Sequence, residues 1–176
     1  MGTKRKVPCV SVLTSVALKT LKFPDQTRTN YFTSRLAYVG QVLVARKMNE
    51  IFSVQLTPSY IHRNLVATEL DPNDIWALGA GARLKITKRI SLNGEYYYIA
   101  NPKTYLSQQI YNPLSVGFDI ETGGHVFQLF FTNSLGMTEK QFIGGTTGQW
   151  KKGDIHFGFN ISRVFTLKKN KKAPNY

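Results

Sequence analysis

Residues 114–129 read LSVGFDIETGGHVFQL, and their pattern determines the fold of this part of the chain. Apolar side chains occupy alternate positions on both sides of Gly123 and Gly124, as on a β-strand with one apolar face. Adjacent glycines suit the positive φ angles of a two-residue type I′ turn. Such a turn pairs Ile120 with Phe127, Phe118 with Leu129 and Asp119 with Gln128. A slip of one residue would mix the apolar and polar faces, so the stretch predicts a β-hairpin in this register.

The same period of two recurs along most of the chain, and no long segment fits the spacing of an amphipathic helix better. It predicts about eight strands, at approximately residues 7–21, 31–46, 50–64, 75–86, 90–99, 113–122, 125–132 and 155–166. In the hairpin that joins the second and third strands, a turn at residues 47–49 would place Val44 opposite Phe52 and Val42 opposite Val54. Each strand is close to the length of about 9–11 residues that spans a bilayer when tilted.

The connections between the predicted strands alternate in length. Short connections fall at 47–49, 87–89 and 123–124, and long ones at 22–30, 66–74, 100–112 and 133–154. Short turns on one side and long loops on the other are typical of outer-membrane barrels. We therefore predict an all-β, antiparallel up-and-down meander within a single domain, residues 1–176. It would form an outer-membrane β-barrel.

The chain is strongly basic, with 23 basic against 10 acidic residues and a formal net charge of +13. Such a balance favours polyanionic partners such as nucleic acid, an acidic membrane surface or lipopolysaccharide. Much of the excess lies at the ends, in residues 4–6 and in a basic tail at 167–176, and more lies in turns. Because no nucleic-acid-binding motif accompanies the charge, we expect no nucleic-acid partner.

Neither a disulfide nor a membrane helix is compatible with the sequence. Cys9 is the one cysteine, which excludes an intrachain disulfide, and we assign it to the first strand. The segment before it is short and basic, and it lacks the apolar run of a lipoprotein signal. No apolar run reaches the roughly 18 residues that a membrane helix requires.

Alternation alone leaves the orientation of the apolar face open. That face points inward in a soluble barrel and outward, toward lipid, in a membrane barrel. Aromatic residues at both ends of the strands favour the membrane orientation, since membrane barrels carry two aromatic belts. The predicted short-turn belt consists of Phe52, Phe127 and Phe165. The predicted long-loop belt consists of Tyr31, Phe32, Tyr60, Trp76, Tyr96, Tyr98, Phe131 and Phe157.

Specific strings extend the pattern of residues 114–129 to most of the chain. They lie at 43–47, 58–66, 90–98, 132–134, 136–140 and 153–165. Together they resemble an uncharacterised β-barrel family of Bacteroidota, a domain of unknown function, over roughly residues 31–165. The resemblance implies an outer-membrane β-barrel without an assigned activity, substrate, cofactor or set of site residues.

Two departures from that family bear on closure of the barrel. Its members begin with a signal peptide and further N-terminal strands, whereas here Met1 leads almost directly into a strand. The resemblance therefore implies the C-terminal part of a longer barrel or a truncated gene product. Outer-membrane barrels also often end at an aromatic residue, a position that Phe165 fills, but a basic tail follows it here.

No pattern of residues predicts catalysis, a cofactor or a metal site. His62, His125 and His156 lie on different predicted strands, without the spacing of a metal site. The glycines at 79–82 fall within a strand, where they let the wall bend or a neighbour approach, and those at 144–145 lack the lysine of a phosphate loop. No serine or threonine has an adjacent general base at a telling spacing. We therefore expect a protein that is not an enzyme.

Charged residues on the predicted lumen face form the one candidate functional set. Paired carboxylates such as Asp119 and Glu121 can perform acid–base chemistry, but on a barrel wall they more often balance inward-facing cations. The predicted lumen charge network consists of Arg35, Arg63, Arg83, Lys85, Glu95, Asp119 and Glu121, with Glu95 diagonal to Arg83.

Two functions follow from these expectations. The first is an outer-membrane β-barrel of a Gram-negative bacterium, surrounded by outer-membrane lipid, with a structural role or a role in the passage of small solutes. The alternative is a water-soluble β-barrel binding module that holds a lipid or another apolar ligand. The alternative requires the even-numbered apolar face to be buried.

Overall fold

The computed structural model describes residues 7–23, 29–69, 71–100 and 109–163. The described residues form one antiparallel sheet in which each strand pairs with the next along the chain. The strands are β1 (Cys9–Leu18), β2 (Leu36–Lys47), β3 (Phe52–Arg63), β4 (Asp74–Lys85), β5 (Ile90–Ile99), β6 (Leu114–Glu121), β7 (His125–Thr132) and β8 (His156–Arg163). The all-β up-and-down meander predicted from the alternation is confirmed.

The sheet curls into a half-barrel, with β1 and β8 at its two edges. Short turns join the strands at one end, called the turn end, and long connections join them at the other, called the loop end. A 3-10 helix at Phe32–Arg35 occupies the start of the predicted second strand, so β2 begins only at Leu36. The predicted residues 164–166, Phe165, the tail at 167–176 and the basic residues 4–6 lie outside the described residues.

The register of the β6–β7 hairpin is the one that the two glycines predict. Ile120 pairs with Phe127, Phe118 with Leu129 and Asp119 with Gln128. Gly123 has a φ angle of 65°, and the Thr122 amide donates to the His125 carbonyl at 2.9 Å. Gly124 does not have a positive φ angle, so the predicted type I′ turn is wrong, and the positive φ at the first central residue alone is that of a type II′ turn. Both turn types give a two-residue hairpin the same register, so the predicted pairing is kept.

The predicted register of the β2–β3 hairpin is wrong. Val44 pairs with Leu56 rather than Phe52, and Val54 pairs with Arg46. The cause is the side chain of Asn49, whose Oδ1 accepts hydrogen bonds from the amides of Ile51 at 3.0 Å and Phe52 at 2.7 Å. This asparagine turn takes up residues 48–51, so β2 extends to Lys47 and β3 begins only at Phe52, later than predicted. The shift is an even number of residues, so every side chain keeps its predicted face.

The convex face of the half-barrel is apolar and exposed. From β2 to β6 it carries even-numbered residues, and on β7 it carries odd-numbered ones because the two-residue turn changes the parity. Large exposed side chains on this face include Val42, Leu56, Trp76, Leu78, Tyr98, Val116, Phe118, Leu129, Phe131, Phe157 and Phe159. A continuous apolar surface of this extent is typical of a face that meets lipid.

Aromatic residues of the convex face gather near the loop end. The rings of Tyr60 and Trp76 lie 4.6 Å apart, and those of Phe131 and Phe157 lie 5.5 Å apart. Tyr31 and Phe32 are exposed beside them, each at 66%. These residues are those of the predicted long-loop belt. At the turn end the described aromatic residues of the predicted belt are Phe52 and Phe127.

The concave face is covered at its loop end by residues 133–155, which we call the plug. The plug contains a short helix α1 (Glu139–Gly144) and a 3-10 turn at Trp150–Lys152. Ile143 of α1 is 1% exposed and joins Ile61, Ile75 and Ile99 of the wall in one buried cluster. None of the helices in the described residues is long and apolar enough to cross a membrane.

Candidate functional site: the concave face

The concave face holds a cavity of about 1070 Å³ between the plug and the turn end. Odd-numbered residues of β2 to β6 and even-numbered residues of β7 and β8 line it. The polar lining includes Gln41, Gln55, Arg83, Asn93, Glu95, Ser115, Asp119, Gln128, Glu139 and His156. The lining also contains apolar side chains such as Leu13, Leu43 and Phe130. The concave face is therefore mixed in polarity, whereas the convex face is apolar, and charged groups inside with apolar groups outside are expected for a wall with lipid outside and water inside.

The ion-paired part of the lining is the Arg83 cluster, formed by Arg83, Asp119 and Glu121. Nη2 of Arg83 donates to Oε1 of Glu121 at 2.7 Å, and its Nε lies 3.5 Å from Oδ2 of Asp119. Arg83 is on β4 and both carboxylates are on β6. The intervening strand β5 presents the short side chains Ser91 and Asn93 at this level, which leaves the guanidinium room to reach across.

Two amides extend the Arg83 cluster across the sheet. Nε2 of Gln128 donates to Oδ1 of Asp119 at 3.0 Å, and Nδ2 of Asn160 donates to Oε1 of Gln128 at 3.1 Å. Ion pairs from Arg83 to the two carboxylates and hydrogen bonds from Asp119 through Gln128 to Asn160 therefore connect β4 with β8. Asp119 is only 7% exposed, and its ion pair with Arg83 and its hydrogen bond from Gln128 balance a charge that would otherwise be costly to bury. The predicted opposition of Asp119 and Gln128 pointed to this path, but nothing in the sequence alone placed Asn160 on it.

Arg35 and Arg63, predicted members of the charge network, lie at the loop end instead. Arg35 donates to the carbonyls of Lys19 at 3.0 Å and Leu21 at 2.7 Å, and its guanidinium lies 4.3 Å from the ring centroid of Phe23. Arg63 donates to the carbonyl of Pro72 at 2.7 Å. Both side chains bind backbone of the long connections, and alternation could not show this because the connections have no period.

Lys85 and Glu95 share the concave side with the Arg83 cluster without joining it. Lys85 is exposed at the turn end, beside Lys47 and Glu50. Glu95 projects into the cavity and pairs across the sheet with Gly81 and Ser115. It forms no ion pair with any residue in the described part of the chain, because Arg83, its predicted partner, is engaged by the two carboxylates of β6.

Glycines of the concave face make room for two aromatic rings. A Cβ added to Gly79 would lie 2.4 Å from Cε1 of Tyr97, and one added to Gly158 would lie 2.3 Å from Cζ of Phe130. The predicted role of the glycines at 79–82 in admitting a neighbour is therefore confirmed at Gly79. The ring of Tyr97 in turn meets Phe142 of the plug edge-on, with centroids 5.8 Å apart.

Hydrogen bonds fasten the plug to the ends of the strands. Nδ2 of Asn133 donates to the carbonyls of Asn112 at 3.1 Å and Gly148 at 2.9 Å. The indole of Trp150 donates to the carbonyl of Leu114 at 3.0 Å. Sequence reasoning treated residues 133–154 as a polar loop and missed this arrangement. The apolar pair Phe142 and Ile143 within that loop was the signal that could have revealed it.

One lysine of the plug is partly buried. Burial lowers the pKa of Lys140 below its usual value, and the nearby charges of Arg63 and Lys19 lower it further. Each of these effects disfavours the charged ammonium in the docked plug. The docked position of α1 is therefore sensitive to the protonation of this side chain.

The three histidines lie at three different places in the structure and have different contacts. Nδ1 of His62 lies 2.7 Å from Oδ1 of Asp74, which also accepts a 2.6 Å hydrogen bond from Tyr60, at the loop-end rim of the convex face. His125 lies beside the two-glycine turn, and His156 lines the cavity. The described residues contain no group of three or more His, Cys, Asp or Glu side chains placed to hold a metal ion.

An antiparallel sheet with an exposed apolar convex face, and with most of its charged strand residues on the concave face, is typical of membrane β-barrel proteins. Comparison with known families agrees with that class. Residues 2–165 match the model of a family described as "Membrane bound beta barrel domain (DUF5777)", and the chain belongs to this family. No curated protein and no solved structure shows significant similarity to the chain.

Proposed function

We propose that the chain forms part of the wall of an outer-membrane barrel in a Gram-negative bacterium, and that its concave face lines a water-filled passage for small polar solutes. The observation that carries the proposal is the contrast between the two faces. Lipid would cover the apolar convex face, and the cavity of about 1070 Å³ would form part of the passage. The resemblance of the sequence to a family of Bacteroidota supports this location.

Closure of the ring is part of the proposal. The edge strands β1 and β8 present backbone groups that hydrocarbon cannot satisfy, so a membrane barrel must pair both edges. We propose that additional strands of a larger barrel complete the circle. A closed ring of eight strands would have a lumen filled by side chains, whereas a larger ring leaves room for an aqueous channel.

The proposed role is non-enzymatic. Within the described residues, the carboxylates of the Arg83 cluster are engaged by a guanidinium and an amide, an arrangement that suits a rigid wall better than proton transfer. We propose no nucleic-acid partner, since Lys85 and other basic residues lie at the rims. The alternative binding module draws no support from the structure, because the even-numbered face that it needs buried is exposed.

Conductance of the purified full-length protein in planar bilayers tests the passage. We expect discrete current steps in KCl. Gly81→Trp should reduce the step size, because Gly81 faces the cavity. Gly40→Trp is the matched control, since it adds the same side chain to the convex face, where nothing lies within 4 Å of an added Cβ. The absence of current steps, or steps of equal size for the two variants, would contradict the proposal that the concave face lines a passage.

A further inference from the structure

The charge of the cavity differs in sign from the charge of the whole chain. The charged residues of its lining are three carboxylates, Glu95, Asp119 and Glu139, and one guanidinium, Arg83. The chain as a whole carries a formal charge of +13. A solute inside the half-barrel therefore meets an acidic surface within a basic protein.

Two of the three cavity carboxylates form no ion pair within the part of the chain that the structure describes. Arg83 lies 3.5 Å from Asp119 and 2.7 Å from Glu121, so its charge is already shared between two carboxylates. Neither Glu95 nor Glu139 forms an ion pair with a residue of the described ranges. Their charges project into the cavity, where the low-dielectric wall focuses the electric field.

Among the described residues, Lys47 and Lys85 lie at the turn-end rim of the cavity, and Lys85 is too far from Glu95 to cancel its charge. Lys85 follows Gly81 by four positions on β4, which is about 13 Å along a strand. That distance exceeds the screening length of about 8 Å at physiological salt. At the loop end, Arg35 and Arg63 donate to backbone carbonyls, and neither they nor Lys140 line the cavity.

We propose that the cavity selects small cations, and that Glu95 is the residue that sets this preference. The solute class comprises small monovalent cations and small organic ammonium ions, whose shared chemistry is a single positive charge. Ser115 is the cross-strand neighbour of Glu95, and Gln55 lies beyond Gly81 on β3. Both line the cavity, and the Ser115 hydroxyl and the Gln55 carbonyl oxygen can replace water around such an ion. The inference rests on the proposed passage for its biological meaning, but the sign of the cavity's field can be measured without any passage.

A cysteine at position 81 reports that field directly. Gly81 is the cross-strand neighbour of Glu95, and an added Cβ there would come no closer than 3.8 Å to another atom. The exposed Cys9 is first replaced by serine in the full-length protein. Gly81→Cys is then reacted in detergent with two methanethiosulfonate reagents, one carrying a trimethylammonium group and one carrying a sulfonate. Their rate ratio is normalised to that of a free thiol.

We expect the cationic reagent to be favoured by about tenfold, the lower end of the enrichment that a charged cleft produces. Glu95→Gln should lower that ratio several-fold. Glu69→Gln is the matched control, because it makes the same change in the exposed β3–β4 connection and should leave the ratio unchanged. If Gly81→Cys does not fold, Asn93→Cys on the same face serves as the reporter.

A normalised ratio near one, a preference for the anionic reagent or no effect of Glu95→Gln would overturn the cation preference. Failure of both reagents to react would also overturn it, because the cavity would then be inaccessible to solutes. Reversal potentials in a KCl gradient complete the test. A silent bilayer together with a cation-favouring ratio would reject the passage and leave the cation site standing.

Discussion

At position 79 the wall requires a residue without a side chain, because the ring of Tyr97 occupies the space that a Cβ would fill. Tyr97 has little freedom to move, since it is 8% exposed and contacts Phe142 of the plug. We expect Gly79→Ala to lower the free energy of unfolding by about 1–3 kcal/mol, the usual cost of overpacking. Urea titration in detergent micelles measures it.

Gly81→Ala is the control for this prediction. It makes the same substitution at the next concave-face position of β4, where an added Cβ meets only ordinary contacts at 3.8 Å. Its effect should stay within about 0.5 kcal/mol. Equal destabilisation by both variants would show that the contact with Tyr97 is not the cause.

Arg83 stabilises two carboxylates at once, and one of them is nearly buried. Arg83→Ala leaves Asp119, at 7% exposure, with Gln128 as its remaining side-chain donor. We expect a loss of about 1–3 kcal/mol in the free energy of unfolding, since a nearly buried carboxylate loses its ion-pair partner and Glu121 loses a hydrogen bond. Lys85→Ala on the same strand removes an exposed cation and should have little effect in the same urea titration. A larger loss in the free energy of unfolding for Lys85→Ala than for Arg83→Ala would contradict a stabilising role of the Arg83 cluster.

At the scale of the element, the plug is held mainly by one apolar side chain. Ile143 is 1% exposed among the isoleucines of the wall. Ile143→Ala should weaken docking by about 2–5 kcal/mol. Amide exchange of residues 133–155 should then accelerate while the strands remain protected. Met137→Ala in the same plug, at 73% exposure, should leave exchange unchanged. Acceleration in the strands as well would mean that plug and wall unfold together.

Docking of the plug should also depend on pH through Lys140. The pKa of Lys140 is lower in the docked plug than its usual 10.5, because burial disfavours the charge. Between the docked pKa and 10.5 the undocked plug binds more protons, so docking strengthens as pH rises through that window. Below the docked pKa both forms are charged and docking is constant. Lys140→Met should strengthen docking at pH 7 and remove the dependence.

Amide exchange of the plug is measured in the wild type and in Lys140→Met at the same pH. The ratio of the two rates reports the contribution of Lys140 to docking, because the intrinsic exchange rates cancel. Lys152→Met is the control, since Lys152 is an exposed lysine of the same plug. Weaker docking at high pH in the wild type would reverse the expected sign and reject a buried Lys140.

At the scale of the whole molecule, the same substitution should have opposite outcomes on the two faces. Leu56 is 53% exposed on the convex face, and Leu43 lines the cavity. They lie at nearly the same depth, because Leu56 pairs with Val44. Leu56→Arg should cost about 2–4 kcal/mol in lipid vesicles, the cost of arginine at the bilayer midplane. Leu43→Arg should cost much less, because it enters water. The reverse order would indicate a soluble barrel.

How far the sequence could predict the charge network depended on local register. Asp119 and Gln128 were paired correctly because a two-residue turn at Gly123 and Gly124 gives this register in either of the turn types that glycine allows. The contact between Arg83 and Glu121 crosses an intervening strand, and local register does not specify which of several carboxylates a long guanidinium reaches. Arg35 and Arg63 were misplaced for a related reason: their partners are carbonyls of irregular connections, which carry no periodic signal.

The sequence by itself determined the number and order of the strands, the face that each side chain occupies and the hairpin at residues 121–126. The physical reason is local, since side chains alternate across a strand and glycine permits positive φ angles. The tertiary structure decided the β2–β3 register, through the side chain of Asn49, and the docking of the plug on the concave face. It also left Glu95 without an ion pair to any described residue. These features arise from contacts between residues that are distant along the chain, and they form only when the sheet curls.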